Sequence, residues 1–172
     1  MIRPLMTILL CVLLTGCWGP VSGIPVSLAG NALTQEQRFT LMDLQGQAVS
    51  LDQVLSQKKA VLIDFWATWC GYCVEEMPDL VKLQQKYGES GFTVLAVNVG
   101  ESREQAAAFK EKMGLNFPIV LDTDSVAAQA YNVVGIPFTV LVDSTGKVVD
   151  EYHSYSGKIE ADVIKTLGDK SS

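Results

Sequence analysis

Cys70 and Cys73 stand two residues apart in a chain that carries four cysteines in all. Two thiols at that spacing have three chemical uses. As a structural staple the pair would close almost no loop, so its stabilising value is small. As a zinc site it would normally need four nitrogen or sulfur donors. His153 is the single histidine and no second cysteine pair accompanies the first, which leaves such a site incomplete. The third use is thiol–disulfide exchange, in which a thiolate attacks a disulfide sulfur and a neighbouring thiol resolves the mixed disulfide. That chemistry needs a lowered thiol pKa. A helix N-terminus supplies one, because its free N–H groups and the positive end of its dipole favour an anion. With Cys70 at that end, Cys70 attacks and Cys73, one turn on, resolves.

The elements that would position the pair are legible. Ala60 to Trp66 is an apolar run interrupted only by Asp64 and reads as a buried strand. Gly71 to Tyr87 has helical spacing at Val74, Met77, Leu80, Val81 and Leu83, stops before Gly88, and contains Pro78, which is expected to kink it. Before this unit, Phe39 to Asp43 and Ala48 to Leu51 flank a Gln45-Gly46-Gln47 turn, and Ser50 or Asp52 caps a short helix through Leu55. After it come a buried strand (Phe92 to Val99), a helix (Ser102 to Met113) stopped by Gly114, and a short strand (Phe117 to Leu121). Next is a helix opened by Asp124 or Ser125, then strands from Phe138 to Val142 and Lys147 to His153 around Ser144-Thr145-Gly146, and a closing helix to Leu167. Strands alternating with helices predict an α/β domain with a mostly parallel central sheet, covered on both faces and ending in an antiparallel hairpin.

The N-terminus reads differently. Arg3 precedes an apolar run from Leu5 to Leu14, too short to span a bilayer but suited to a signal peptide. Leu14-Thr15-Gly16-Cys17 resembles the bacterial lipobox, which implies removal of residues 1–16 and lipidation of Cys17. Cys11 would leave with the leader and Cys17 would be blocked, so Cys70 and Cys73 would be each other's only partners. Residues 17–37 read as a flexible tether, residues 38–168 as one domain and residues 169–172 as a tail. A leader of this kind predicts an extracytoplasmic domain held at a membrane by its lipid anchor, facing the periplasm or the outer cell surface. The formal net charge of −6, with no cluster of Lys or Arg larger than Lys58-Lys59, argues against a nucleic-acid partner.

Ile63-Asp64-Phe65-Trp66-Ala67-Thr68-Trp69-Cys70-Gly71-Tyr72-Cys73 resembles the active-site strand, turn and helix of the thioredoxin superfamily, and Val134-Gly135-Ile136-Pro137 resembles its cis-proline loop. Leu95 to Ser102 and Asn116 to Asp124 are similar to the extra βα insertion of the ResA/TlpA/CcmG branch of membrane-tethered members, with the ResA group nearest in pattern. The resemblance implies a thioredoxin fold with a central mixed sheet, an N-terminal β-hairpin and that insertion. It implies Cys70 as exposed nucleophile, Cys73 as buried resolving thiol, and Pro137 in a cis bond facing the disulfide. The backbone of Ile136 would then be free to pair with an extended client segment. Asp64 matches the buried proton-relay acid of thioredoxins, and Glu76 matches the glutamate that ResA-type members carry in the active-site helix. Glu75 is expected to face water. Trp69, Gly71 and Tyr72 would contact clients, while Trp66 packs in the core and His153 has no role.

The function implied is that of a thiol–disulfide oxidoreductase without a bound cofactor or metal, its redox centre being the Cys70–Cys73 disulfide. It would reduce protein disulfides, apocytochrome c among the clients, and draw electrons from a membrane thiol–disulfide protein. Gly71-Tyr72 departs from the Glu-Pro pair familiar in ResA and matches the isomerase DsbC, so an oxidase or isomerase is an alternative. About 30 mV is a tenfold change in such an equilibrium, which two residues can supply. A peroxidase on the same fold and a non-enzymatic tethered binding module are further alternatives.

Overall fold

The computed structural model describes residues 27–168. The expected leader, Cys17, the first part of the tether and the tail lie outside the described residues. Seven strands form one sheet: β1 (Thr40–Asp43), β2 (Ala48–Ser50), β3 (Ala60–Trp66), β4 (Phe92–Val99), β5 (Ile119–Asp122), β6 (Phe138–Asp143) and β7 (Val148–Tyr152), in the order β2-β1-β5-β4-β3-β6-β7. Five helices accompany them: α1 (Leu51–Gln57), α2 (Gly71–Tyr87), α3 (Arg103–Met113), α4 (Val126–Ala130) and α5 (Gly157–Gly168). This is the mixed sheet with an N-terminal hairpin and one inserted helix and strand, α3 and β5, that the resemblance implies. The mostly parallel sheet is corrected: only β3–β4 and β4–β5 pair in parallel, and the four outer pairings are antiparallel. Strand–helix alternation holds only through the middle of the chain. Hairpins at both ends of the described chain add the antiparallel edges.

Every residue of β3 is buried, so alternation along the strand sorts its side chains between two cores. Ala60, Leu62 and Trp66 pack with Cys73, Met77 and Leu80 of α2 and with Ile159 and Val163 of α5. Val61, Ile63 and Phe65 pack on the opposite face with Leu51 and Leu55 of α1 and Ala127 and Ala128 of α4. Asp64 shares its parity with Leu62 and Trp66, so it belongs to the face covered by α2.

Two boundaries differ from the sequence reading. Residues 28–33, assigned to the tether by composition, join the body: Gly30 N–H donates to Val148 O, Val148 N–H to Asn31 O and Leu33 N–H to Gly146 O, and Leu33 is buried. A Gly/Pro-rich stretch reads as linker, but here its backbone pairs with the open edge at the β6–β7 turn. α2 stops at Tyr87, as its spacing assigns, and Gly88 follows without a left-handed turn. It is right-handed (φ −54°) and opens a 3₁₀ turn that ends at Gly91, where φ is 99°. Gly91 needs that freedom because its N–H and C=O are committed to Gly88 O and to the N–H of Lys59. The strand read from Phe117 begins at Ile119 instead, two residues later, although Phe117 is buried.

Candidate active site

The first functional side chain is placed by a turn. β3 ends at Trp66, Cys70 N–H donates to Ala67 O at 3.1 Å, and α2 starts at Gly71. Cys70 is therefore the N-cap of α2, with extended dihedrals (φ −83°, ψ 104°), and its Sγ accepts the Cys73 backbone N–H at 3.2 Å. Capping is ordinarily performed by a side-chain oxygen; a sulfur in that position receives the same free N–H group and the same end of the dipole. Cys70 and Cys73 form a disulfide with Cα atoms 5.2 Å apart. Cys73 has no exposed surface and Cys70 is 6% exposed, less open than the exposed nucleophile that the resemblance implies. The cause is the facing loop: the Ile136 carbonyl oxygen lies 3.6 Å from Cys70 Sγ, and Pro137, in a cis bond with Ile136, is buried behind it.

Two carboxyls are buried on the elements that carry the pair, Asp64 on β3 and Glu76 on α2. Asp64 is fully buried; Thr139, its register partner on β6, donates its hydroxyl to Asp64 Oδ1 at 3.2 Å. Glu76 lies one turn beyond Cys73 and is 6% exposed; the Tyr155 backbone N–H donates to its Oε2 at 2.9 Å. Asp64 Oδ2 and Glu76 Oε1 are buried without a hydrogen-bond partner. Burial pushes the Asp64 carboxyl well above its usual range, the Glu76 charge pushes it further, and the Thr139 hydroxyl opposes both. Burial pushes Glu76 up to about 7, against the Tyr155 N–H. The Glu76 charge thus acts on Asp64, which links the acids favoured separately by two family patterns.

Around the disulfide the surface is apolar. Trp69 is 72% exposed, Tyr72 76% and Val134 98%. Gly71 is exposed and Ile136 half-buried. Trp66, by contrast, is buried against Phe109, with ring centroids 5.0 Å apart. Glu75 faces solvent, and His153 is exposed beside the Phe138 ring, 5.3 Å between centroids. Among the described residues, no three His, Cys, Asp or Glu side chains are grouped to hold a metal.

One residue of the site escaped the sequence reading. Glu101 is 5% exposed and accepts three hydrogen bonds: from Thr68 N–H at 2.8 Å, from the Thr68 hydroxyl at 2.5 Å and from Asn98 Nδ2 at 2.7 Å. Its sequence signal is weak, because an acid just ahead of the helix-capping Ser102 reads as a helix-dipole partner.

A disulfide at the N-terminus of a helix that follows the central strand, faced by a cis-proline loop, defines a thioredoxin-like domain. The family model described as "AhpC/TSA family" matches residues 34–151, and the chain belongs to that family. It is 42% identical over 110 residues to the thiol-disulfide oxidoreductase ResA of Geobacillus kaustophilus, covering 64% of this chain and 62% of that protein. To ResA of Bacillus subtilis it is 39% identical over 111 residues, covering 64% and 61%. The matched stretch thus spans less than two thirds of these relatives. Among solved structures, a thiol:disulfide interchange protein DsbE from Chlorobium tepidum superposes with a TM-score of 0.73 at 28% identity, covering 81% of this chain and 98% of that one. The thioredoxin domain of a thiol-disulfide oxidoreductase from Bacteroides vulgatus gives 0.72 at 29%, with the same coverage.

Proposed function

We propose that this chain is an extracytoplasmic thiol–disulfide oxidoreductase that reduces protein disulfides. The observation that carries the proposal is the Cys70–Cys73 disulfide at the N-terminus of α2, its outer sulfur beside the Ile136 carbonyl. The names of the ResA relatives support the activity. In the reduced chain the Cys70 thiolate attacks a client disulfide, forming a mixed disulfide and releasing one client thiolate, which takes up a proton. Cys73 gives its proton to the buried acid pair Asp64/Glu76, attacks Cys70 Sγ and releases the second client thiolate. Two electrons pass to the client and the chain is left as the disulfide, to be reduced again by a membrane dithiol protein. Apocytochrome c is the client class favoured by the resemblance to the ResA group. The leader and lipobox pattern at Leu14 to Cys17 supports a lipid-anchored location.

The direction of transfer is tested by equilibrating the chain in dithiothreitol and glutathione redox buffers. The reductant reading expects a potential near or below about −250 mV. The oxidase or isomerase reading, prompted by Gly71-Tyr72, expects one well above about −200 mV. Peroxide consumption by the reduced chain would instead favour the peroxidase.

The exposed Trp69 and Tyr72 are proposed to hold an apolar client segment against the Val134–Ile136 loop. A Trp69→Ala/Tyr72→Ala variant is expected to raise KM for a protein disulfide about five- to tenfold. Its rate with a small soluble disulfide should stay near that of the parent. Equal losses on both substrates would assign the aromatics to the fold instead.

A further inference from the structure

We infer that Glu101 is a positioning residue for Cys70, holding the turn that presents the sulfur to the end of α2; the inference rests on the exchange reading above. The backbone explains how Glu101 reaches that turn. β3 and β4 pair in parallel with Trp66 opposite Asn98, so both strands end at the same level and the chain leaves them side by side. Gly100, at φ 71°, turns the chain after β4 with its N–H on Asp122 O. Ser102 then caps α3 through a reciprocal box with Gln105. Glu101 is fixed between these two devices and its side chain is directed back toward β3.

There its two oxygens divide the work. Oε1 takes the Thr68 hydroxyl, and Oε2 takes both the Thr68 N–H and the Asn98 amide. Thr68 is the second residue of the turn closed by Cys70 N–H on Ala67 O. A buried bidentate acceptor restrains both the backbone and the χ1 of Thr68, and through them the direction in which Cys70 enters α2. Glu101 makes no contact with either sulfur in its hydrogen-bond set, so its influence runs through the turn. The consequence is chemical because a small rotation of Cys70 away from the Cys73 N–H removes the thiolate's nearest donor. Glutamine is a poor substitute. It offers one acceptor oxygen and would turn an N–H₂ group toward donors.

The test reads Cys70 in the reduced chain by its alkylation rate with iodoacetamide against pH, a measurement that needs no client. Asp64, Glu76 and Cys73 are the other titrating groups of the site and are left intact. Glu101→Gln and Thr68→Val are both expected to move the Cys70 profile to higher pH and to slow alkylation at pH 7 about tenfold. Thr68→Ser, which keeps the hydroxyl, should restore the parent profile. A Glu101 that acted only through its charge would shift the profile to lower pH in Glu101→Gln and leave Thr68→Val unmoved. A merely structural role would lower the urea midpoint of both variants and leave the profile of the folded protein where it was. Either result overturns the inference. A parent chain that alkylates normally but reduces no protein disulfide would overturn the exchange reading alone.

Discussion

Cys70→Ser is expected to bring disulfide exchange down to the uncatalysed rate, while Cys73→Ser is expected to accumulate Cys70-linked mixed disulfides with clients. The asymmetry follows from where the two sulfurs sit. Cys73 has no solvent-exposed surface, whereas Cys70 retains a small window beside the Ile136 carbonyl. A client sulfur approaching in line with the disulfide axis can therefore reach only Cys70. A serine hydroxyl stays protonated near neutral pH and forms no bond to sulfur that exchange could use, so Cys70→Ser has no attacking atom. In Cys73→Ser the attack still occurs and the resolving step is lost. Mass spectrometry of non-reduced extracts reads the trapped partners, and alkylation of Cys70 confirms that its nucleophile is intact in Cys73→Ser. Trapping by Cys70→Ser in place of Cys73→Ser would reverse the two roles. Trapping by neither, with the parent also inactive, would leave the non-enzymatic binding module.

The strands carrying this chemistry were legible because burial on both faces leaves a plain signature. Ala60–Trp66, Phe92–Val99 and Gly71–Tyr87 have the bounds that hydrophobic run and helical spacing assign to them. Cys70 and Cys73 were legible as a candidate exchange pair next to such elements, Pro137 only through the resemblance, and the loop bearing Ile136 and Pro137 does lie against Cys70. The features that stayed hidden depend on pairing between distant segments. Residues 28–33 look like linker because their backbone partners, Gly146 and Val148, are more than a hundred residues away. Glu101 looks like a surface acid because its three donors come from Thr68 and Asn98, brought beside it only when β3 and β4 align. The reduced exposure of Cys70 belongs to the same class: spacing predicts the helix end but not how closely another loop covers it.

The proposed acid pair would tie stability to function, and the pH dependence of its stability term has a definite sign. Glu76 carries a pKa of about 7 in the folded chain against 4.5 as its ordinary value. Between those limits the folded state binds more protons than the unfolded one, so stability falls as pH rises. The contribution is fully present below about pH 4.5 and is lost by the time pH has passed through about 7. At about 1.4 kcal/mol per unit, this shift corresponds to roughly 3 kcal/mol at most. Asp64, also raised, acts in the same direction. Glu76→Gln removes the charge while keeping an oxygen for the Tyr155 N–H. In urea titrations of the oxidised chain, Glu76→Gln is expected to be more stable than the parent by about 1–3 kcal/mol at pH 8 and nearly equal to it at pH 4.5. The same substitution should slow resolution of the Cys70 mixed disulfide at pH 7, because Cys73 loses a proton acceptor matched to that pH. Raising the pH should recover much of the rate as Cys73 ionises unaided. Asp64→Asn should behave alike, and the double variant should lose less than the product of the two single effects, since the Glu76 charge acts on Asp64 and the two sites are not independent. A Glu76→Gln chain equally destabilised at pH 4.5 and pH 8, with resolution unchanged, would make Glu76 a packing and hydrogen-bonding residue and leave proton transfer to Asp64 alone.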